Sequence, residues 1–221
     1  MKLLETNQMN KPMIITTIRH GPTQDNFKKI ISGRIDTPLS DNGRCLTGKL
    51  IRIVKMSDYD VVFSSPLLRT LETAKILLGN KKCDLRTSAL CLERNYGLMQ
   101  GVLPEEIRRI EPPIIYANVG GVNHSLNPPL GESFEQLRLR ADKFLKLLMG
   151  KTVYDLRKRN ILVVSHGTFL QQLHGILTGK DVYHSLGVDV APLEVNRFSL
   201  VGDGRWKHKL VFKPETGYKA W

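Results

Sequence analysis

Two histidines, each following a short apolar run and followed by glycine, place the strongest constraint on how this chain folds. The first run, residues 13–18, leads into Arg19-His20-Gly21, and the second, residues 161–164, leads into Ser165-His166-Gly167. Short, almost wholly apolar runs are typical of buried strands in parallel sheets. Ligands of open α/β sheets bind beyond the carboxyl ends of the strands, so we expect both imidazoles to meet in one pocket.

The rest of the pattern predicts an α/β fold. A further apolar strand is predicted at 61–63 and a terminal hairpin at 194–212, and helical spacing of apolar residues recurs between the strands. We therefore expect a three-layer sandwich, with a mainly parallel central sheet, helices on both faces and an antiparallel edge strand. Frequent Pro and Gly residues predict an irregular cap insertion over 98–131. Residues 1–12 are predicted to form a flexible extension and 13–221 a single domain.

The net charge of +12 is compatible with nucleic acid, an acidic membrane or an anionic small molecule as a partner, and most of the basic residues are expected to form a solvated surface. The basic residues are scattered and accompany no zinc-finger or RNP pattern, so nucleic acid is not expected as a partner. A membrane is not expected as a partner either, because no apolar stretch approaches the roughly 18 residues that span a bilayer. The N-terminus lacks an apolar signal segment, and three cysteines without pairing or ligand spacing are predicted to be reduced and buried. These features predict a cytoplasmic protein.

Five blocks of residues surround the two histidines in a fixed order. They are Arg19-His20-Gly21-x-Thr23-x-x-Asn26, Gly33-x-x-Asp36-x-Pro38-Leu39-x-x-x-Gly43, Ser64-Ser65-Pro66-x-x-Arg69-x-x-x-Thr73-Ala74, Glu93-x-x-x-Gly97 and Ser165-His166-Gly167. Together they resemble the phosphoglycerate-mutase-like branch of the histidine phosphatase superfamily over about residues 14 to 180. Segment 128–136 looks most like the fructose-2,6-bisphosphatase-like, broad-substrate phosphatases, whereas 93–101 is also similar to the mutases.

The resemblance implies a catalytic role for five residues. His20, as a neutral imidazole, would attack phosphorus and become a phosphohistidine. The guanidinium groups of Arg19 and Arg69 would clamp the phosphoryl oxygens, and His166, protonated beside the dianion, would donate another hydrogen bond. Glu93 would give a proton to the leaving alcohol and later take one from water. The implied substrate-binding set is Arg19, Thr23, Asn26, Ser32, Gly33, Arg69, His166 and Gly167, with no metal and no cofactor.

Residues outside these blocks are assigned no part in the chemistry. Arg94, Tyr96, Arg108 and Arg109 are expected at the surface rather than on the substrate. The remaining histidines have no metal-ligand spacing and are assigned no site; they are His124, His174, His184 and His208.

Three functions stay open at this point. The first is a cofactor-independent phosphatase that hydrolyses a small phosphorylated metabolite of the sugar phosphate or phosphoglycerate type. The second is a phosphoglycerate mutase, in which a substrate hydroxyl instead of water receives the phosphoryl group. The compact segment between Glu93 and His166, with the cation pair Arg108-Arg109, favours hydrolysis. The third is an inactive family member that acts as a binding protein. The substrate and the oligomeric state do not follow from the sequence.

Overall fold

The computed structural model describes residues 12–150 and 160–215 of the chain. Eight strands and five α-helices are formed by these residues. The strands are β1 (Ile14–Arg19), β2 (Val61–Ser64), β3 (Asp84–Thr87), β4 (Tyr116–Val119), β5 (Val122–Ser125), β6 (Asn160–Ser165), β7 (Val195–Leu200) and β8 (Trp206–Phe212). The helices are α1 (Gln24–Phe27), α2 (Asp41–Leu50), α3 (Leu68–Leu78), α4 (Phe134–Met149) and α5 (Gly167–Leu177).

Six strands form one mixed sheet in the order β3-β2-β6-β1-β7-β8. The first four are parallel, whereas β7 pairs antiparallel with β1 and β8 pairs antiparallel with β7. Alternate side chains enter two separate cores. Val61 and Phe63 pack with α4 and α5 on one face, and Val62 packs with α2 and α3 on the other. This arrangement confirms the predicted three-layer α/β sandwich with an antiparallel edge.

The pairing of β1 with β6 brings the two histidines to the same level. Arg19 lies opposite Ser165 in the parallel register, and the backbone N–H of His20 donates to the Ser165 carbonyl at 2.9 Å. His20 and His166 therefore leave the sheet side by side at the carboxyl ends of two central strands. The fold thus builds its candidate site where open α/β sheets bind ligands.

The structure departs from the predicted elements at several places. Strand β3 was not predicted, because its residues Asp84-Leu85-Arg86-Thr87 are largely polar. Residues 98–131 are not irregular throughout, since β4 and β5 form an antiparallel hairpin there. The predicted flexible extension falls almost wholly on residues 1–11, which lie outside the described residues.

The prediction that all three cysteines are buried is wrong for Cys45. Cys91 is buried and Cys83 is half-buried, but Cys45 is exposed on α2. The helices formed by the described residues include none whose length and apolarity would let it cross a bilayer.

Candidate active site

The two strand-end imidazoles lie in contact with each other. The ring centroids of His20 and His166 are 5.2 Å apart, with an angle of 63° between the ring planes. Nδ1 of His20 lies 2.7 Å from the Gly21 carbonyl oxygen, to which it donates. That hydrogen bond places the ring proton on Nδ1 and leaves the lone pair of Nε2 available for attack. The tautomer of His20 is therefore fixed by the backbone of the next residue.

Both imidazoles are held in the neutral form in the unliganded protein. Burial, followed by the charges of Arg69 and Arg19, lowers the pKa of His20 well below its ordinary value. The pKa of His166 is lowered in the same way by burial and by Arg69. Neither ring nitrogen of His166 has a hydrogen-bond partner among the described residues. A bound dianion is thus required before His166 can carry the proton that the sequence analysis assigned to it.

These lowered pKa values predict how the free protein titrates. A base whose pKa is lowered stays neutral until the pH falls below that pKa, so His20 should titrate well below the ordinary histidine value of about 6.5. Nitrogen chemical shifts of the histidine rings, followed by NMR from pH 8 to 5, measure this directly. Titration of His20 at or above pH 6.5 would contradict the assignment.

Arg19 and Arg69 supply the positive charge of the site. Arg69 is 2% exposed, and burial lowers its pKa to about 10, which leaves it protonated at neutral pH. Its two terminal nitrogens donate to the carbonyls of Ile35 at 2.8 Å and Gly33 at 2.6 Å. Arg19 donates to the Val190 carbonyl at 2.8 Å, and its Nε has no partner among the described residues. Both guanidinium groups are therefore anchored by backbone before any ligand arrives.

Glu93 connects the site to the N-terminus of α5. Its Oε1 accepts hydrogen bonds from the backbone N–H groups of Arg94 (2.7 Å) and Phe169 (3.1 Å), and its Oε2 accepts one from Thr168 (3.2 Å). The Glu93 carboxylate thus caps the N-terminus of α5, although Glu93 is not part of that helix. The positive end of the helix dipole favours its negative charge there. Oε2 accepts a single hydrogen bond from the described residues, so it is the carboxylate oxygen that can also carry a proton.

The loop after β1 arranges the remaining predicted residues. Thr23 and Asn26 form a capping box around α1, and Oδ1 of Asn26 accepts hydrogen bonds from both the backbone and the hydroxyl of Thr23. The amide nitrogen of Asn26 is left to donate into the cavity. Gly33 has a φ of +52°, and a Cβ there would overlap the side chain of Gln100, so this turn requires glycine.

A cavity of about 710 Å³ opens over this arrangement. Most of the predicted site residues line it, but Thr23 and His166 do not. Thr23 is fully buried, with its hydroxyl engaged by Asn26, and so acts by positioning Asn26 rather than by contacting a ligand. The predicted residues that line the cavity are Arg19, His20, Asn26, Ser32, Gly33, Arg69, Glu93 and Gly167.

The expectation that Arg94 and Tyr96 lie at the surface is wrong. Arg94 is fully buried, with its Cζ 3.7 Å from the ring centroid of Phe134. The hydroxyl of Tyr96 forms a 2.7 Å hydrogen bond with Oγ1 of Thr168. Both residues line the cavity, as do Gln171 and His124, which the sequence analysis also left out. Arg108 and Arg109 are exposed, as expected, although Arg108 borders the cavity.

Gly97, in the fourth block, holds the chain beside Glu93 in place. Its φ is +53°, and a Cβ there would overlap the Pro129 carbonyl oxygen. Close packing of the 93–97 segment against 128–131 therefore requires glycine at this position. Within the described residues, no group of three or more His, Cys, Asp or Glu side chains is arranged to hold a metal ion.

Sequence comparison places these residues in a known family. A family profile described as the histidine phosphatase superfamily (branch 1) matches residues 15–212. The chain is 37% identical over 150 residues to fructose-2,6-bisphosphatase TIGAR B of Danio rerio, an alignment that covers 64% of the chain and 55% of that protein. It is 31% identical over 162 residues to phosphoglycerate mutase-like protein 4 of Arabidopsis thaliana, covering 72% and 69%. The chain thus spans about half the length of the Danio rerio relative.

Structural comparison gives the same fold. A crystal structure of a putative α-ribazole-5′-P phosphatase from Escherichia coli superimposes with a TM-score of 0.75. The alignment covers 90% of this chain and 95% of that one at 21% sequence identity. At this identity the likeness establishes the fold alone.

Proposed function

The chain belongs to branch 1 of the histidine phosphatase superfamily, and within that family we propose that it is a phosphatase acting on a small phosphorylated metabolite. One observation carries the proposal. Nε2 of His20 is left with its lone pair free by the Gly21 hydrogen bond, next to two buried guanidinium groups and a second imidazole. A neutral nucleophile among fixed positive charges is suited to attack on a phosphoryl group, whose oxygens repel nucleophiles.

The first step forms a phosphohistidine. Nε2 of His20 gives its electron pair to phosphorus, and the bond between phosphorus and the ester oxygen breaks. The ester oxygen takes a proton from Oε2 of Glu93 and leaves as the alcohol. Arg19, Arg69 and Asn26 donate to the phosphoryl oxygens, while His166 donates once the dianion has raised its pKa.

The second step returns the enzyme to its starting state. Glu93 takes a proton from water, the oxygen of that water bonds to phosphorus, and the nitrogen–phosphorus bond of His20 breaks. Inorganic phosphate is the product. The three backbone donors that fix Glu93 hold its carboxylate in one position through both steps.

Mutase activity is the second candidate, since one relative is named a phosphoglycerate mutase-like protein. In a mutase the phosphoryl group of His20 would pass to a substrate hydroxyl, which requires water to be kept from the intermediate. The cap of this chain is a short two-stranded hairpin with 3₁₀ turns, and the cavity below it is open to solvent. That arrangement favours water as the acceptor.

A panel of phosphate esters tests the proposal. We expect the protein to release inorganic phosphate from p-nitrophenyl phosphate and from at least one of fructose-2,6-bisphosphate, fructose-1,6-bisphosphate, 2,3-bisphosphoglycerate and 3-phosphoglycerate. Phosphate and isomerised product should be measured in the same reactions. Isomer formation without phosphate release would replace the phosphatase assignment with the mutase. Absence of both, with phosphate still bound, would favour an inactive binding protein.

A further inference from the structure

Glu93 lies on a chain segment whose backbone is held by the side chain of Arg140 on α4. Nη1 of Arg140 donates to the carbonyls of Leu90 at 2.9 Å and Leu92 at 2.7 Å. Its Nη2 donates to the carbonyl of Glu93 itself at 3.2 Å. One side chain therefore binds three carbonyls of this segment and fixes the point from which the Glu93 carboxylate leaves the backbone.

Glu132 holds Arg140 in this position and also binds the chain on the other side of Glu93. Oε1 of Glu132 accepts from Nε of Arg140 at 2.8 Å, and Oε2 accepts from Nη2 at 2.7 Å. The same Oε2 accepts from the backbone N–H of Asn95 and from Nη2 of Arg34, each at 3.3 Å. Together, Glu132 and Arg140 thus bind the backbone both before and after Glu93.

The ion pair between Glu132 and Arg140 is largely buried. The two side chains are 11% and 13% exposed. Burial acts to raise the pKa of Glu132, but hydrogen bonds and charge from Arg140 lower it below its ordinary value, so the carboxylate is ionised at neutral pH. Desolvation offsets much of the attraction within a buried ion pair, so stability alone is a poor reason for one. Neither side chain lines the cavity, so an effect of the pair on the chemistry has to pass through a residue that does.

We propose that Glu132 and Arg140 are positioning residues for proton transfer, which hold the Glu93 carboxylate within reach of the ester oxygen. This inference rests on the proposed function, in which a proton passes from Oε2 of Glu93 to the ester oxygen as its bond to phosphorus breaks. The guanidinium of Arg140 also lies over the ring of Phe169, with Cζ 5.5 Å from the centroid, and the N–H of Phe169 donates to Oε1 of Glu93 at 3.1 Å. The backbone and the carboxylate of Glu93 are therefore fixed together. A reacting group displaced by about 1 Å can lose about a hundredfold in rate.

Esters with different leaving groups test the positioning role. An alkoxide needs a proton as its bond to phosphorus breaks, whereas p-nitrophenolate leaves without one. Glu132→Gln removes the charge that holds Arg140. We expect it to lower kcat/KM by about tenfold to a hundredfold for the alkyl ester that the wild type hydrolyses fastest, and much less for p-nitrophenyl phosphate. Phenyl phosphate, whose leaving group is more basic than p-nitrophenolate, takes the place of the alkyl ester if none is hydrolysed.

A double variant separates positioning from a general structural effect. If Glu132 acts through Glu93, adding Glu132→Gln to Glu93→Gln should leave the alkyl-ester rate of the Glu93→Gln variant unchanged, because no transferable proton remains to be positioned. Independent effects would instead multiply. Arg140→Lys keeps the positive charge but offers one nitrogen in place of three, so it should show the same dependence on the leaving group as Glu132→Gln.

Glu72→Gln and Arg44→Lys are the matched controls, because they alter another carboxylate–guanidinium pair, 3.0 Å apart, outside the cavity lining. Both should keep the wild-type ratio of the two kcat/KM values. Thermal unfolding shows whether each variant is folded. Glu132→Gln, which changes the shape of the side chain least, decides the test if Arg140→Lys does not fold.

Three results would overturn the positioning role and leave the phosphatase function standing. They are an equal loss on both esters in Glu132→Gln, no loss on either, and losses that multiply in the double variant. If the wild-type protein hydrolyses no ester, not even p-nitrophenyl phosphate, the proposed function fails and the positioning role fails with it. The wild-type rates alone therefore distinguish the two failures.

Discussion

Replacing His20 by alanine should reduce turnover of p-nitrophenyl phosphate by about 10³-fold or more, the loss expected when a nucleophile is removed. The reason is chemical, because of the two described imidazoles beside Arg19 and Arg69 only that of His20 has its ring proton held by a backbone carbonyl, which leaves Nε2 free to attack. His166 is assigned to donate to the phosphoryl oxygens, and neither of its ring nitrogens has a partner among the described residues that would fix a lone pair for attack. Phosphate binding should survive in the variant, since both guanidinium groups keep their backbone anchors.

A second measurement completes this experiment. The reaction of the wild-type protein is quenched rapidly at high pH, and an acid-labile phosphoryl group is then detected on the protein. The same treatment of the His20→Ala variant should detect none. His184→Ala is the control, because His184 is an exposed histidine that does not line the cavity. Turnover within tenfold of wild type in the His20→Ala variant would end the phosphohistidine proposal.

The sheet and the position of the site could be predicted because both depend on short-range patterns. Residues 13–18 and 161–164 are apolar enough to be recognised as buried strands, and parallel neighbours must end at the same edge. The prediction that His20 lies beside His166 therefore depended only on the pairing of β1 with β6. The predicted fold class provides that pairing. The capping boxes at Thr23 and Ser133 are likewise local signals, since each joins residues only three positions apart.

What escaped prediction depends on contacts between distant segments. Strand β3 lies at the sheet edge, where a strand pairs with only one neighbour and is only partly buried. Its residues can therefore be largely polar, and the sequence shows no apolar run at this strand. Arg94 looks like a surface cation in the sequence, yet carbonyls of residues 125 and 132 and the ring of Phe134 bury it. Capping of α5 by Glu93 joins residues 75 positions apart, and no local pattern records that contact.

Glu93→Gln should separate the two chemical steps from each other. Glutamine keeps Oε1 as the acceptor for Arg94 and Phe169 but replaces Oε2, which faces the Thr168 N–H, with an amide group that carries no transferable proton. For an alkyl ester such as 3-phosphoglycerate, kcat/KM should fall by about 10²–10⁴, the usual contribution of a general acid. p-Nitrophenolate leaves without protonation, so the first step on that ester should be much less affected.

Stopped-flow mixing with p-nitrophenyl phosphate should then show a burst of nitrophenolate, followed by slow turnover, because water attack on phosphorylated His20 still needs a base. Glu72→Gln is the matched control, since it neutralises another half-buried carboxylate that binds Arg44 and lies outside the cavity lining. In this control variant, the ratio of the burst rate to the steady-state rate should equal that of the wild type. Equal slowing of both esters in Glu93→Gln without any burst would mean that Glu93 serves only as the cap of α5. The proton would then have to come from elsewhere in the cavity, with the hydroxyl of Tyr96, also in its wall, as the next candidate.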